Sequence, residues 1–321
     1  AIAARMRYTC VIERDISAFV SAASRTVETK VLPGKRLSGA SAMPLVSLEH
    51  PVKAWGLLGG EDRVAVAPVT TRTTVDVMAG ETSARPHVTL STASVYPRKA
   101  PLAFELAAEL GYDGVEVMVW NDKISRDDLA LARLAQETGV PIRSVHAPTL
   151  IVSQQVWGTK PGHKLAKTVD MALTLGASTV VVHPPFAWQR GYSRHFAEQV
   201  RALSEDSGLT IAVENMYPWR GRKREFMGYL PGWDPTEHDY DRVTLDVSHA
   251  ATSRQSCVDL AALFGPRLAH VHLTDGTDSG FDEHLVPGRG TQPVRELLEG
   301  LARSGFAGDV VVEIGTRKAR D

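Results

Sequence analysis

The chain has 321 residues, with 36 Lys and Arg against 37 Asp and Glu. That length can bury a large core, either as two ordinary domains or as one large α/β barrel. The near-neutral charge argues against a general nucleic-acid or membrane binder, which works through bulk positive charge.

The two cysteines, Cys10 and Cys257, lie far apart and form no CxxC pair or disulfide framework, which fits a reducing compartment. No apolar run approaches the roughly 18 residues needed to cross a bilayer, and no signal-like segment follows a basic N-terminus. A soluble, cytoplasmic protein is expected, with no membrane partner and with homo-oligomer formation left open.

Residues 1–84 differ from everything after them. They are rich in Ala, Ser, Thr and Val, lack sustained periodicity, and are broken by Pro33-Gly34, Pro44, Pro51 and Gly59-Gly60. They read as a poorly ordered extension that burial cannot hold, or as a segment that caps the main domain. Met78-Ala79-Gly80 would serve as an alternative translation start.

From residue 85 to 321 the pattern is regular. Strands are expected at 87–92, 115–119, 142–146, 179–183, 210–215, 243–247, 269–273 and 310–314. Amphipathic helical segments lie between them, among them 100–110, 127–138, 164–175 and 195–207. Several end in Gly, as helix C-termini often do. Eight strands alternating with helices match an α/β fold of the (β/α)₈ TIM-barrel type better than an open sheet. The connection 216–242 shows no convincing helix, and no final outer helix is expected after the eighth strand.

Strand parity carries the functional signal. Val115, Val117 and Val119 share one face, as do Val243, Leu245 and Val247, and in a barrel this apolar face packs under the helices. The opposite, inward parity holds Glu116, His146, His183, Glu214, Asp246, His272 and Glu313. Most of these stand at the C-terminal end of their strand, where barrel active sites are built. A face that points into a barrel is not a solvated face, and buried charges persist when they are paired or bind a metal.

Single motifs add detail. His146-Ala-Pro148 and His183-Pro184-Pro185 each place a histidine where proline stops ladder pairing. In Asp246-Val-Ser-His249 the turn can bring His249 back toward Asp246, while Ser248 is also a candidate helix N-cap. The stretch 270–290 holds His270 and His272 two apart, then Asp282-Glu283-His284 and the turn Pro287-Gly288-Arg289-Gly290. His270 lies deeper than His272 and reads as a supporting residue. The basic loop 219–224, WRGRKR, reads as a solvated loop or, through Arg222 and Arg224, as a phosphate anchor, a task for which Arg289 is another candidate.

On these residues, the chain from about His87 to Thr316 resembles the xylose isomerase-like TIM-barrel superfamily, in which sugar and sugar-phosphate isomerases and epimerases stand beside endonuclease IV, the AP endonuclease family 2. The resemblance to the epimerase branch implies a divalent metal held by Glu214, Asp246, His272 and Glu313, with the two glutamates moving a proton through an enediolate and His249 touching the sugar. The resemblance to endonuclease IV implies additional ligands at His146, His183, His249, Asp282 and His284 and three zinc ions. The sequence departs from that enzyme at Thr149, Glu283 and the PGRG turn, and its acidic main body suits a DNA-backbone binder poorly.

The leading expectation is therefore a metal-dependent sugar or sugar-phosphate isomerase or epimerase using Mn²⁺, Mg²⁺, Co²⁺ or Zn²⁺. The alternatives are a zinc-dependent phosphodiester hydrolase, for which nucleic acid would be the partner, and a barrel that binds metal and sugar without turnover.

Overall fold

The computed structural model describes residues 85–221 and 224–316. The expected N-terminal extension and Arg222 lie outside the described residues. Eight parallel strands close into a barrel: β1 (His87–Ser91), β2 (Gly114–Met118), β3 (Ile142–His146), β4 (Thr179–Val182), β5 (Thr210–Glu214), β6 (Val243–Asp246), β7 (Leu268–Leu273) and β8 (Asp309–Val312). Each pairs with its neighbours in sequence, and β1 closes the ring on β8 with Val88 opposite Val310 and Leu90 opposite Val312. The (β/α)₈ architecture expected from the sequence is the one observed.

The strands are short β-branched runs, and their outward residues form one continuous core with the helices. Val115, Val117, Val180, Val213, Val243, Leu245 and Val271 are fully buried there. Helices Ala100–Leu110, Asp128–Thr138, Pro161–Leu175, Phe196–Ser207, Cys257–Phe264 and Val294–Ser304 cover them. Asp127 caps the second of these by accepting the Ala130 N–H at 3.0 Å, which satisfies an amide that the helix itself leaves unpaired. None of the helices among the described residues is long and apolar enough to cross a membrane.

Two departures from a regular barrel frame the C-terminal face. Between β5 and β6 the chain makes a small hairpin (Trp219–Arg220 with Glu225–Phe226) and a 3₁₀ turn (Pro235–Glu237) in place of a full helix. After β8 the described residues 313–316 form no helix. The expected sixth strand ends one residue early, because Asp246 caps a short helix, Val247–Thr252, by accepting the His249 N–H at 2.7 Å. Asp246, not Ser248, is thus the N-cap.

The loop after β7 is pinned by one buried carboxylate. Asp275 accepts backbone N–H groups from Gly276 at 2.8 Å, Gly288 at 2.8 Å, Gly290 at 2.9 Å and Gln292 at 3.2 Å. A Cβ at Gly290 would land on that carboxylate, so the PGRG turn needs glycine there. Replacing Asp275 with Ala would leave these amides without their acceptor and is expected to cost about 2–4 kcal/mol of stability. Urea denaturation of Asp275→Ala checks this; an unchanged midpoint would refute the pinning role.

Candidate metal centre

The inward parity delivers its side chains to one place. His146 ends β3, Glu214 ends β5, Asp246 ends β6, His272 lies one residue from the end of β7, and His183 and Glu313 directly follow β4 and β8. All six are buried. Strand ends at this face converge around the barrel axis, so residues far apart in sequence become neighbours without any loop having to fold inward.

Glu214 is the hub. Its Oε2 lies 2.9 Å from His183 Nε2 and 3.1 Å from His146 Nε2. Its Oε1 lies 3.0 Å from His272 Nδ1 and 3.4 Å from His249 Nδ1. The same His272 Nδ1 is 3.3 Å from Glu313 Oε2 and 3.5 Å from Asp246 Oδ2. Three carboxylates from β5, β6 and β8 therefore meet at one imidazole nitrogen from β7. Asn215, next to Glu214, locks the β5–β6 edge: its Oδ1 accepts the Asp246 N–H at 2.6 Å and its Nδ2 donates to the Asp246 carbonyl at 3.1 Å.

A further group sits beside this hub. Asp282 Oδ2 is 3.3 Å from His249 Nε2 and 3.1 Å from His284 Nε2. Ser248 Oγ donates to Asp282 Oδ1 at 2.7 Å and accepts the backbone N–H groups of Glu283 and His284 at 3.1 and 3.0 Å. His284 adopts φ 45°, a left-handed conformation that costs a side-chain-bearing residue of order 1–3 kcal/mol when sparsely populated. The Ser248 bond and the Nδ1 donation to the Glu313 carbonyl at 3.0 Å hold it there.

Ring orientation follows a rule. His146, His249 and His284 direct Nδ1 at backbone carbonyls, those of Ala147, Asn215 and Glu313, at 2.9, 2.8 and 3.0 Å. Each then presents Nε2 toward a carboxylate in the site. A ring whose proton is taken by a carbonyl offers a lone pair on its other nitrogen, which is the form a metal accepts.

The donor set fits a divalent cation. Buried Asp246 Oδ2 and Glu313 Oε2 have no hydrogen-bond partner, an arrangement that costs free energy unless a cation satisfies the oxygens. Donor atoms within 4.8 Å of one another form the groups Glu214/Asp246/His272, His146/His183/Glu214 and Asp246/His249/His284. Mixed imidazole and carboxylate donors suit Zn²⁺, Mn²⁺ or Co²⁺, with Mg²⁺ served by the carboxylates.

Electrostatics reflect the crowding. Burial alone would raise the carboxyls of Glu214 and Asp282, yet the histidines around them hold both well below the usual range. Burial dominates at Glu313 and pushes its carboxyl up, against His272 and His284. Burial likewise pulls His183 down to about 4. At His249 burial opposes the charge, but Asp246 and Asp282 outweigh it and raise the ring to about 10.

Glu214, Glu313 and Asp282, with the rings of His146, His183, His249 and His284, line a cavity of ≈ 330 Å³, whose other wall is apolar and includes Tyr96, Trp120, Leu150 and Ile314. The rings of Tyr96 and Trp120 lie 5.0 Å apart. No Lys or Arg lines this cavity among the described residues. The proposed phosphate anchors Arg224 and Arg289 are exposed and do not reach it. Arg220 is turned aside to Glu225 at 2.8 Å and to the Thr252 carbonyl. Sequence reasoning gave Asn215 and the Tyr96–Trp120 wall no role, and considered Ser248 only as a cap. Asn215 and Ser248 stand inside the quoted motifs VEN and DVSH, so their position there was the available signal.

Residues 104–321 match the family model described as Xylose isomerase-like TIM barrel. An uncharacterised protein of Mycobacterium tuberculosis is 49% identical over 252 residues, which is 73% of this chain and 90% of that protein. Fructoselysine 3-epimerase of Shigella flexneri is 23% identical over 241 residues, 67% of this chain and 84% of that enzyme. The IOLI protein, solved with a bound zinc atom, superposes with a TM-score of 0.51 at 19% identity over 71% of this chain and 88% of its own, a likeness of fold.

The raised pKa of His249 has a sign that can be tested. The contacts with Asp246 and Asp282 stabilise the folded, chelator-treated protein fully below the ordinary histidine value near 6.5, and this contribution is lost as the pH rises through about 10. The urea midpoint of chelator-treated protein is expected to fall between pH 7 and pH 10, and His249→Gln to flatten part of that fall. A profile identical in the two proteins would count against the arrangement.

Proposed function

The chain belongs to the xylose isomerase-like TIM barrel family, and on that premise we propose that it is a divalent-metal-dependent isomerase or epimerase of a sugar or sugar phosphate. The observation that carries this reading is the meeting of Glu214, Asp246 and Glu313 at His272 Nδ1, all within 3.5 Å, with Glu214 and Glu313 lining a small cavity. A volume of ≈ 330 Å³ falls at the low end of small-molecule sites, about 300–1,000 Å³. The relation to a fructoselysine 3-epimerase supports the same substrate class.

Glu214, Asp246, His272 and Glu313 would hold the ion, which when bound supplies the positive charge that polarises the substrate carbonyl. Glu214 and Glu313 then act as the proton-transfer pair. One carboxylate takes the proton from the carbon next to the carbonyl, giving an enediolate, and the other returns a proton to the opposite face or to the neighbouring carbon. Their environments differ: neighbouring imidazoles hold the Glu214 carboxyl well below its usual range, whereas burial pushes that of Glu313 up. His249 and His284 stand where substrate hydroxyls would be bound, and the Tyr96–Trp120 wall would exclude water from the apolar side.

A second reading has a specific observation in its favour. The groups His146/His183/Glu214 and His249/Asp282/His284 provide more donors than a single ion uses. A zinc-dependent phosphodiester hydrolase of the AP endonuclease type would use them to generate hydroxide and stabilise the leaving oxygen. The absence of Lys or Arg from the cavity lining among the described residues weighs against a nucleic-acid substrate.

Two measurements test these readings. Glu214→Gln is expected to reduce solvent-deuterium uptake at the carbon next to the carbonyl of an accepted ketose by at least about 100-fold; unchanged exchange would sink the assigned role. Metal analysis of the purified chain should give one ion for the isomerase, while three zincs together with cleavage of abasic duplex DNA would establish the hydrolase instead.

A further inference from the structure

Glu116 is fully buried on β2 and belongs to none of the roles assigned above. Its Oε2 accepts from Ser144 Oγ at 2.8 Å and from His270 Nε2 at 2.8 Å. Its Oε1 lies 3.1 Å from His272 Nε2 as an ion-pair contact, and neither of those two atoms has a hydrogen-bond partner among the described residues. His270 Nδ1 likewise has no partner, so this ring carries its proton on Nε2, toward Glu116.

His272 is the exception to the orientation rule of the site. His146, His249 and His284 turn Nδ1 to a backbone carbonyl and offer Nε2, and His183 also faces Glu214 through Nε2. His272 turns Nδ1 to Glu214, Asp246 and Glu313, and Nε2 faces inward to Glu116. A nitrogen that binds a cation carries no proton, so the remaining ring proton must sit on Nε2, and a group there must accept it. No backbone carbonyl among the described residues serves that purpose for His272; the Glu116 carboxylate stands in its place.

We propose that Glu116 is a positioning residue that keeps the His272 proton on Nε2 and so presents Nδ1 as a metal ligand, with His270 and Ser144 fixing the carboxylate. This rests on the metal reading of the site. It also explains why a carboxylate occupies the position. Oε2 is committed to Ser144 and His270, so Oε1 is the oxygen left to accept from His272. An amide has one acceptor oxygen. In Glu116→Gln that oxygen stays with Ser144 and His270, and the NH₂ group faces His272 Nε2. The ring then moves its proton to Nδ1, where it blocks the cation.

The test uses the full chain and Zn²⁺ as the probe, with two readouts. The first is zinc affinity by chelator competition. Glu116→Gln is expected to bind zinc about 10–100-fold more weakly than the unaltered chain. The second is the ¹⁵N signal of His272 in the unaltered zinc-loaded chain, expected to show a metal-bound Nδ1 and a protonated Nε2. Zinc affinity unchanged in Glu116→Gln would overturn the proposal and leave the metal reading standing. So would zinc on Nε2 of His272, a result that needs no folded variant. An unaltered chain that binds no zinc would overturn both.

Discussion

Glu214 places a negative charge in the barrel mouth within 3.4 Å of four imidazoles, and the rest of the site is arranged around the cost of that burial. A carboxylate taken out of water is tolerated only when its oxygens are fully engaged. Here each oxygen faces two imidazole nitrogens. Among those rings, His146 and His249 are turned by the carbonyls of Ala147 and Asn215, and His272 faces the Glu116 carboxylate. Orientation is thus set one layer behind the reacting groups, where the backbone is most rigid.

The scaffold divides this work between strands and one loop. Parallel strands fix the deep donors to within the precision of their hydrogen-bond register, since Asp246 stands opposite His272 across the β6–β7 pair. Asp282 and His284 come from the loop after β7, where flexibility is the default. Two devices remove it. Asp275 gathers four amides of the loop, and Ser248 bonds both the Asp282 carboxylate and the backbone of the next two residues. The left-handed backbone of His284 is the sign that this loop is held against its own preference.

The cavity has two characters. One wall is the polar cluster; the other is formed by aromatic and aliphatic side chains after β1, β2 and β3, together with Ile314. An apolar wall opposite convergent charges lowers the local dielectric, which strengthens every charge interaction between them and a bound substrate. It also leaves the cavity without a fixed cation among the described residues, so an anionic substrate would have to find its positive charge in a bound metal or in charged imidazoles.

The alternation of β-branched and amphipathic runs determined the barrel, because a parallel strand buried on both faces and a helix buried on one leave different apolar periods. Parity then determined which side chains point inward, so Glu214, Asp246, His272 and Glu313 could be placed on one face, since successive side chains on a strand alternate by geometry alone. Three things escaped it. Whether Arg224 and Arg289 reach the site depends on where loops run, and no period constrains a loop. The cap at Asp246 rather than Ser248 turns on one residue of strand length, a boundary decided by local competition between ladder and cap. And the pairing of Glu116 with His272 across 154 to 156 residues of chain, through His270 and then His272 two positions on, exists only once the barrel closes and brings β2 and β7 face to face across its axis. Sequence fixes what each residue can donate or accept; only closure of the ring decides who stands opposite whom.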